Sequence, residues 1–571
     1  MDFIRIAEIF DKIDKENITG RIELTNIVAK FIADVSDEDL QIVLLFFQGK
    51  TFPIWSNKEL GIAENLVVKA LSKTTGWKEE RIKDKIREEG DLGNVAGKIL
   101  SKRIQHSLFS SETENLTLKE VSECFQKISE CAGGGSQDKK MQLMYKILSK
   151  ATETEAKFFI RLLLGEMRVG IGEGVIRDAI AKAFEVEPDL VERGYYLISD
   201  IGEVARIAKN EGNKGLENIV PEIGVPVRVM LAQKVDGVKI ALDEFGKCAF
   251  EVKYDGMRIQ IQKNKDKIYL FTRRLENVTA QFPEIVKAVK ENVKADSVIM
   301  EGETVAIRGI GEGGTEQGND SERRRPRVFQ ALSRRIKRKY DIGEIAIKIP
   351  VEINLFDILY LNGKSLLNEK FEDRRKILEN TVMTTETFRL AEQIITDNVE
   401  DAEKFYSYAL KLGHEGVMSK KLDAVYQAGS RVGYMYKIKP LMETLDVVIV
   451  GGTWGEGRRA QWLASFLLAV RDTETNKFLT IGRIGTGFTD EEFKEMTENL
   501  RELITREEGK DVEISPSIVI EVAYEEIQKS PSYTSGYALR FPRLVRFRDD
   551  KSQEEADTIE RIKKLSEQEI G

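Results

Sequence analysis

The sequence predicts a multidomain chain: an all-α N-terminal region, an α+β middle region, and a C-terminal region with the strand count of an OB-fold β-barrel. Three observations carry this. The 571 residues exceed what one hydrophobic core serves, by the usual prior of roughly 150 residues per domain. Apolar residues recur at helical spacing up to about Ile223 and give way to strand alternation from about Val225. A third composition then begins near Leu441, which sets expected domains at residues 1–223, 224–440 and 441–571.

In the first region the helical period is plain in EDLQIVLLFF, ENLVVKALSK and EAKFFIRLLLGEM, with a flexible break at AGGGSQDKK, residues 132–140. In the second, PVRVMLA, GKCAFEVKYDGMRIQIQ, KIYLFTRR, SVIMEGETVAI and PVEINLFDILYLNG read as strands with helices between them. The third offers LDVVIVGG, LASFLLAVRD, FLTIGRIG, SIVIEVAYEEI and LRFPRLVRFR, a set of five strands. Between its third and fourth strands, Thr489-Asp-Glu-Glu492 is a capping box opening a helix to about Ile504. The final SQEEADTIERIKKLSEQEIG reads as a polar helix.

Composition narrows the function classes. No apolar run of eighteen residues exists and the start is amphipathic and acidic, so a soluble intracellular protein without a membrane span is expected. Three cysteines, Cys124, Cys131 and Cys248, with His106 and His414, supply neither a disulfide framework nor a four-cysteine zinc site. A net charge of −8 does not announce a polyanion binder, but a global sum can hide a local basic surface.

The stretch EVKYDGMRIQ alternates on both sides of Asp255-Gly256 and predicts a hairpin in which Lys253 faces Arg258, or else a wider loop at Asp255-Gly256 that presents Lys253. Opposed cations are unfavourable across strands. They are a solvated face, or a site for a polyanion in which a lysine is brought nearer to being a nucleophile. Further clusters follow. Glu301 and Glu303 share a strand face, as a divalent cation or a ribose hydroxyl would require, or are solvated glutamates on an edge strand. Glu415 lies in GHEGVMSKK; Lys437 and Lys439 alternate in YMYKIKP, a pattern that also protects an edge strand from aggregation. Arg273 and Arg274 follow KIYLFT, and Phe356 precedes Asp357, where a phenylalanine stacks on a base or simply joins the core.

In order and spacing, KYDGMR, TRR, EGE, FDILYLNG, EGVMSK, YKIKP and FPRLVRFRDDK resemble the nucleotidyltransferase motifs of ATP-dependent DNA ligases. The likeness is dense over about the last 350 residues. RLLLGEMRVGIGEGVIRDAIAKAF is similar to the N-terminal DNA-binding domain of the archaeal and eukaryotic replicative ligases.

The resemblance implies that Lys253 attacks the α-phosphorus of ATP and carries AMP to the 5′-phosphate of a nick, which the 3′-hydroxyl then seals. It implies an ATP pocket of Glu251 at the adenine edge, Phe356 stacked on the ring, Arg273 and Glu303 near ribose and phosphates, Arg258 on a phosphate, and Arg431 and Lys437 completing it. Lys439 is a further phosphate candidate. Arg540 and Arg543 match the last motif, which acts on pyrophosphate when the C-terminal domain closes about a hinge near Pro440, or form a basic DNA-binding strand. Glu303 and Glu415 are the candidate ligands for Mg²⁺ or another divalent cation.

Two features face DNA under this reading: the basic run RRRPRVFQALSRRIKRK, residues 323–339, after a Gly-rich loop, and the glycines of VGIGEGVIRDAI before a helix, where backbone approaches a phosphate without base readout. Gln105, Leu108 and Phe109 resemble a sliding-clamp-binding peptide, or else the loop tucks Leu108 and Phe109 into the helical core. The expected partner is nicked duplex DNA, the expected state a monomer, and the expected place the cytoplasm, at the nucleoid if the source is archaeal. An mRNA-capping guanylyltransferase shares the lysine and OB architecture but needs no long helical region and takes GTP. A DNA-end scaffold would not need intact Lys253, Glu303 and Lys437, and an NAD-dependent ligase would need zinc cysteines.

Overall fold

The computed structural model describes residues 1–104, 115–307, 332, 335, 336, 342–440, 444–455 and 461–570. The chain divides into two compact units, Met1–Lys439 and Pro440–Gly571. Among the described residues, no helix is long and apolar enough to cross a membrane.

The first unit opens with twelve α-helices among the described residues, from Phe3–Lys15 to Ile201–Glu217, and no strand precedes Leu231. Thr117 and Thr152 each close a capping box with a glutamate three residues on, which fixes where two of these helices begin. Their apolar stripes meet in an aromatic core: Phe10 lies edge-on to Phe47 at 5.4 Å, and Phe125 stacks on Phe159 at 5.3 Å. Within it, Arg161 reaches Asp14 and Asp91 at 3.0 Å each, so its buried charge is paired. The helix Glu173–Phe184 starts at Gly172, where the glycine run of VGIGEG places it.

The second half of this unit holds two sheets. Sheet A has the order β1 (Leu231–Val235), β11 (Arg431–Ile438), β10 (Gly416–Lys421), β2 (Cys248–Lys253), β9 (Gln393–Thr396). Sheet B runs β4 (Lys267–Thr272), β3 (Met257–Asn264), β5 (Ser297–Ala306), β6 (Val351–Leu361), β7 (Lys364–Ser365), with β8 (Phe388–Leu390) on β6. Each sheet has one apolar face. Phe250, Val252, Val417 and Tyr436 of sheet A pack under the helices Val238–Phe245 and Val399–Lys411. Ile259, Ile261, Met300 and Ile358 of sheet B form a separate core.

This arrangement corrects the hairpin expectation. β2 pairs with β10 and β9, whereas β3 pairs with β4 and β5, so Asp255-Gly256 is a crossing between sheets. Alternation on both sides of an Asp-Gly pair signals two strands but not that they pair with each other. The edge-strand readings fail as well: β5 lies between β3 and β6, and β11 between β1 and β10.

Most of the basic run 323–339 and the loop before it lie outside the described residues, as do Gln105, Leu108 and Phe109. One described member of the run, Arg335, is fully buried, donates to Gln281 O at 2.9 Å and Ile349 O at 2.8 Å, and pairs with Glu284 at 2.5 Å. That arginine serves the fold and has no face left for a phosphate.

The second unit has nine strands among the described residues: β12 (Leu445–Trp454), β13 (Leu463–Arg471), β14 (Phe478–Ile484), β15 (Ile504–Glu508), β16 (Asp511–Ile514), β17 (Val519–Ala523), β18 (Glu526–Lys529), β19 (Tyr537–Arg540) and β20 (Arg543–Phe547). The main order is β14-β13-β12-β16-β15, with β17 pairing β12 and β20. Two expected strands are each divided. SIVIEVAYEEI breaks at Tyr524-Glu525, and LRFPRLVRFR breaks at Phe541-Pro542, where Phe541 has φ 48° and Pro542 has no N–H for a ladder. The hairpin β15–β16 was not anticipated, because its exposed face is almost wholly charged. Thr489 caps the helix Asp490–Arg501 as read.

Candidate active site

Cross-strand partners share a sheet face, so the registers assemble a polar surface on sheet A. Lys253 pairs with Gly416, Glu251 with Met418, and Met418 with Lys437. On sheet B, Arg258 pairs with Glu303 and Gln260 with Glu301. Two glycines make the approach possible. A Cβ at Gly256 would overlap the Thr304 carbonyl oxygen and lie 3.0 Å from Glu303 Cγ, and Gly416 has φ +137° with its α-carbon against the Ile438 carbonyl.

Lys253 stands at the end of β2, where its Nζ donates to Glu415 Oε2. The same oxygen takes Lys439 Nζ at 2.5 Å, and the Glu415 backbone N–H donates to Lys253 O at 3.0 Å. Burial works to raise the Glu415 carboxyl, but Lys253 and Lys439 override it and lower it to about 2. Glu303 goes the other way. Burial pushes its carboxyl up to about 8, against the pull of Lys253 and Arg258 and with the push of Glu415 and Asp255. Lys253 and Arg258 therefore both act on Glu303, although they sit on different sheets.

Arg258 is held by its surroundings. It donates to Glu301 Oε2 at 2.6 Å, to Tyr426 Oη at 3.4 Å and to Met230 O at 3.0 Å. Tyr426 in turn donates to the same Glu301 oxygen at 2.9 Å. Arg258 Nε and Glu301 Oε1 are buried with no hydrogen-bond partner, so this cluster retains unused bonding capacity.

Phe356 is the extra residue of a β-bulge, since Glu301 pairs with Asp357 and the adjacent Gly302 with Leu355. Bulges re-aim side chains, and this one turns the ring toward sheet A. Arg258 lies 5.2 Å and Lys420 Nζ 4.7 Å from its centroid. Its neighbour Asp357 is fixed by Arg374, with Nε–Oδ1 at 2.8 Å and Nη2–Oδ2 at 3.0 Å. Glu251, only 2 % exposed, takes Lys420 at 2.5 Å and Gln393 Nε2 at 2.9 Å, with Arg375 at 3.8 Å.

The structure thus gathers Glu251, Lys253, Arg258, Glu303, Phe356, Glu415 and Lys439, with Lys437 in register with Met418 beside Glu251. Arg273 is exposed one residue past β4, flanking Arg258 through the Thr272–Ile259 pair. Arg431 stands apart, exposed at the other end of β11 from Lys437, six residues or roughly 20 Å along the strand. In the other unit, Arg540 ends β19 and pairs with Glu526 at 3.1 Å, and Arg543 begins β20 near Glu525 at 3.8 Å. Lys420 and Tyr426 were missed. Alternation from Met418 would have put Lys420 on the site face, but Tyr426 lies in the irregular connection between β10 and β11 with no period to read. Among the described residues, no group of three His, Cys, Asp or Glu side chains is poised to hold a metal.

Comparison with known proteins accounts for most of the chain. The family model described as ATP dependent DNA ligase domain matches residues 229–439, DNA ligase N terminus matches 2–181, and ATP dependent DNA ligase C terminal region matches 459–551. The DNA ligase of Thermococcus fumicolans is 48% identical over 566 residues, 99% of this chain and 98% of the relative. That of Archaeoglobus fulgidus is 44% identical over 566 residues, with the same two shares. Among solved structures, mycobacterial DNA ligase D complexed with ATP and MES aligns at 25% identity and a TM-score of 0.30, covering 58% of this chain and 98% of that one.

Proposed function

This chain belongs to the ATP-dependent DNA ligase family, and from that premise we propose how its side chains carry the reaction. Lys253 is the nucleophile: its nitrogen bonds to the α-phosphorus of ATP as the bond to the β-phosphate oxygen breaks and pyrophosphate leaves. AMP then passes from nitrogen to the 5′-phosphate of a nick. The 3′-hydroxyl displaces AMP and closes the phosphodiester. The observation that supports this best is the meeting of Lys253 and Lys439 on one oxygen of Glu415, with Glu303 close enough to feel both Lys253 and Arg258.

An ammonium has no lone pair to give, so attack requires a proton to leave Lys253. The two carboxylates divide the work, because their environments drive them apart. Glu415 stays ionised and holds Lys253 and Lys439 in place; Glu303, pushed up to about 8, keeps its own proton near neutrality and takes the lysine proton only in its ionised fraction, which grows as pH rises toward that value. Arg258, Lys437 and Lys439 face the phosphates and stabilise the charge that builds on them. Phe356 and Glu251 receive the adenine, and Lys420 lies against both. Arg273 and Arg431 serve the outer part of the nucleotide, and Arg540 and Arg543 serve pyrophosphate.

Glu303 and Glu415 suit Mg²⁺, which takes one or two carboxylates, phosphate oxygens and water. The fit rests on Glu303: a carboxyl raised by burial and by Glu415 is relieved by a cation. Bound there, the ion would neutralise phosphate charge.

The substrate is nicked duplex DNA, and the setting is replication, repair and recombination. A sliding clamp is the proposed partner through Gln105, Leu108 and Phe109, with the chain acting as a monomer in the cytoplasm at the nucleoid. Sealing of a nicked duplex with ATP, GTP or NAD tests the function. ATP alone should support joining, and Lys253→Ala should abolish it; joining with GTP alone, or joining by the variant, would overturn the reading.

A further inference from the structure

The segment from Gly224 to Met230 joins the helical region to β1 and is held from both sides. On one side lie alternate side chains of β3. Gly224 N donates to Gln262 Oε1 at 2.6 Å, and Gln262 Nε2 donates to Val225 O at 2.8 Å. Val227 N donates to Gln260 Oε1 at 2.9 Å, and Gln260 Nε2 donates to Val227 O at 3.0 Å. Arg258 continues the row by donating to Met230 O at 3.0 Å. The two carboxamides act as an artificial strand edge, offering donor and acceptor in turn.

The other side is the helical region. Arg228 N donates to Tyr196 O at 2.8 Å, and Ser199 Oγ donates to Pro226 O at 2.6 Å. The Arg228 guanidinium meets Glu173 Oε1 at 2.8 Å and lies 4.5 Å from the Tyr195 ring centroid. A second clasp lies nearby, where Asn277 N donates to Asn57 Oδ1 at 2.9 Å and Asn57 Nδ2 donates back to Asn277 O. Gln260 and Gln262 are 2 % and 0 % exposed, so neither can exchange the segment for water without leaving buried polar groups unpaired. A connection meant to swing would leave its backbone in water.

We propose that Gln260 and Gln262 are positioning residues that lock the helical region to the nucleotidyltransferase region, so that duplex gripped by the one presents its nick to Lys253 of the other in a fixed register. This rests on the ligase reading above and on the helical region as the DNA grip. The lock acts on DNA and not on ATP: the glutamines sit beyond Arg258 on its strand and spend their hydrogen bonds on the backbone of Gly224, Val225 and Val227.

The test uses the full chain with Gln260→Leu and Gln262→Leu together. Spin labels on exposed helix positions, Lys69→Cys and Lys290→Cys with Cys131→Ser, report the separation of the two regions. The parent should give one narrow distance and the double variant a broad distribution. KM for nicked duplex should rise at least tenfold while lysyl-AMP formation stays within twofold. An unchanged narrow distance, an unchanged KM, or loss of lysyl-AMP formation in step with sealing each overturns the lock. If the double variant does not fold, Ser199→Ala with Arg228→Met loosens the same segment from the helical side and is read by the same measures. Labelling of the parent by ATP and its sealing of a nick report separately on the ligase reading.

Discussion

Lys253 and Arg258, five residues apart, lie on different sheets: Lys253 pairs with Gly416 on β10, and Arg258 with Glu303 on β5. The residues between them therefore set how the proposed nucleophile meets the arginine proposed to face phosphate. Each cation has its own carboxylate, Lys253 on Glu415 and Arg258 on Glu301, and both act electrostatically on Glu303 from separate sheets, so neither needs the other as a cross-strand neighbour.

Gly256→Ala should disturb that junction, because its methyl overlaps the Thr304 carbonyl beside Glu303. Overpacking of this kind costs ~1–3 kcal/mol in stability. A shift of about 1 Å between reacting groups costs on the order of a hundredfold in rate. Lysyl-AMP formation should fall by about that factor while the chain stays folded, read by rapid quench with labelled ATP and by thermal melting.

Glu415→Gln removes the negative charge shared by Lys253 and Lys439. Lysyl-AMP formation should slow by about a hundredfold or more, with a smaller change in KM for ATP, since Glu251 and Phe356 are untouched. Pre-steady-state labelling across ATP concentrations separates the two. A pure KM effect would assign Glu415 to binding alone.

Burial holds the Glu303 carboxyl at about 8 against an ordinary 4.5. Between those values the folded chain keeps a proton that the unfolded chain has lost, so stability falls as pH rises through this window. Glu303→Gln has no such loss. It should match the parent near pH 4 and exceed it by ~1–3 kcal/mol at pH 9, at about 1.4 kcal/mol per unit less solvent screening. Urea unfolding at both pH values checks the sign, and nick sealing by the variant should be strongly reduced.

Arg335→Ala should destabilise the first unit by ~3–5 kcal/mol by leaving Glu284 and two carbonyls without their partner. DNA affinity and its salt dependence should be unchanged, because this arginine carries no free charge to the surface. Fluorescence anisotropy on a nicked duplex at several salt concentrations tests that half, and urea unfolding the other.

Much of this was legible in residue order. Periodicity showed where helices yield to strands, and the resemblance of the ordered motifs to those of ATP-dependent DNA ligases named Lys253, Arg258, Glu303 and Glu415 as candidates. Pairing was not legible. Alternation in EVKYDGMRIQ specifies which residues share a face but not which strand lies alongside, and β2 finds its partners more than a hundred residues away, on β9 and β10. Buried partners were hidden for the same reason. Glu301 looked like half of a metal pair and is taken by Arg258 and Tyr426, and Arg335 looked like part of a DNA-facing run. Gln260 and Gln262 carried no signal of their own in the sequence; only the fold reveals that a backbone segment lies over them.

The claim that matters most is that AMP is carried by Lys253 Nζ. Incubation with ATP labelled at the α-phosphate, followed by proteolysis and mass spectrometry of the peptide containing EVKYDGMR, tests it directly. The expected result is one AMP on Lys253, bonded through nitrogen and removed by pyrophosphate. An adduct on any other residue, or label undiminished in Lys253→Ala, would contradict it.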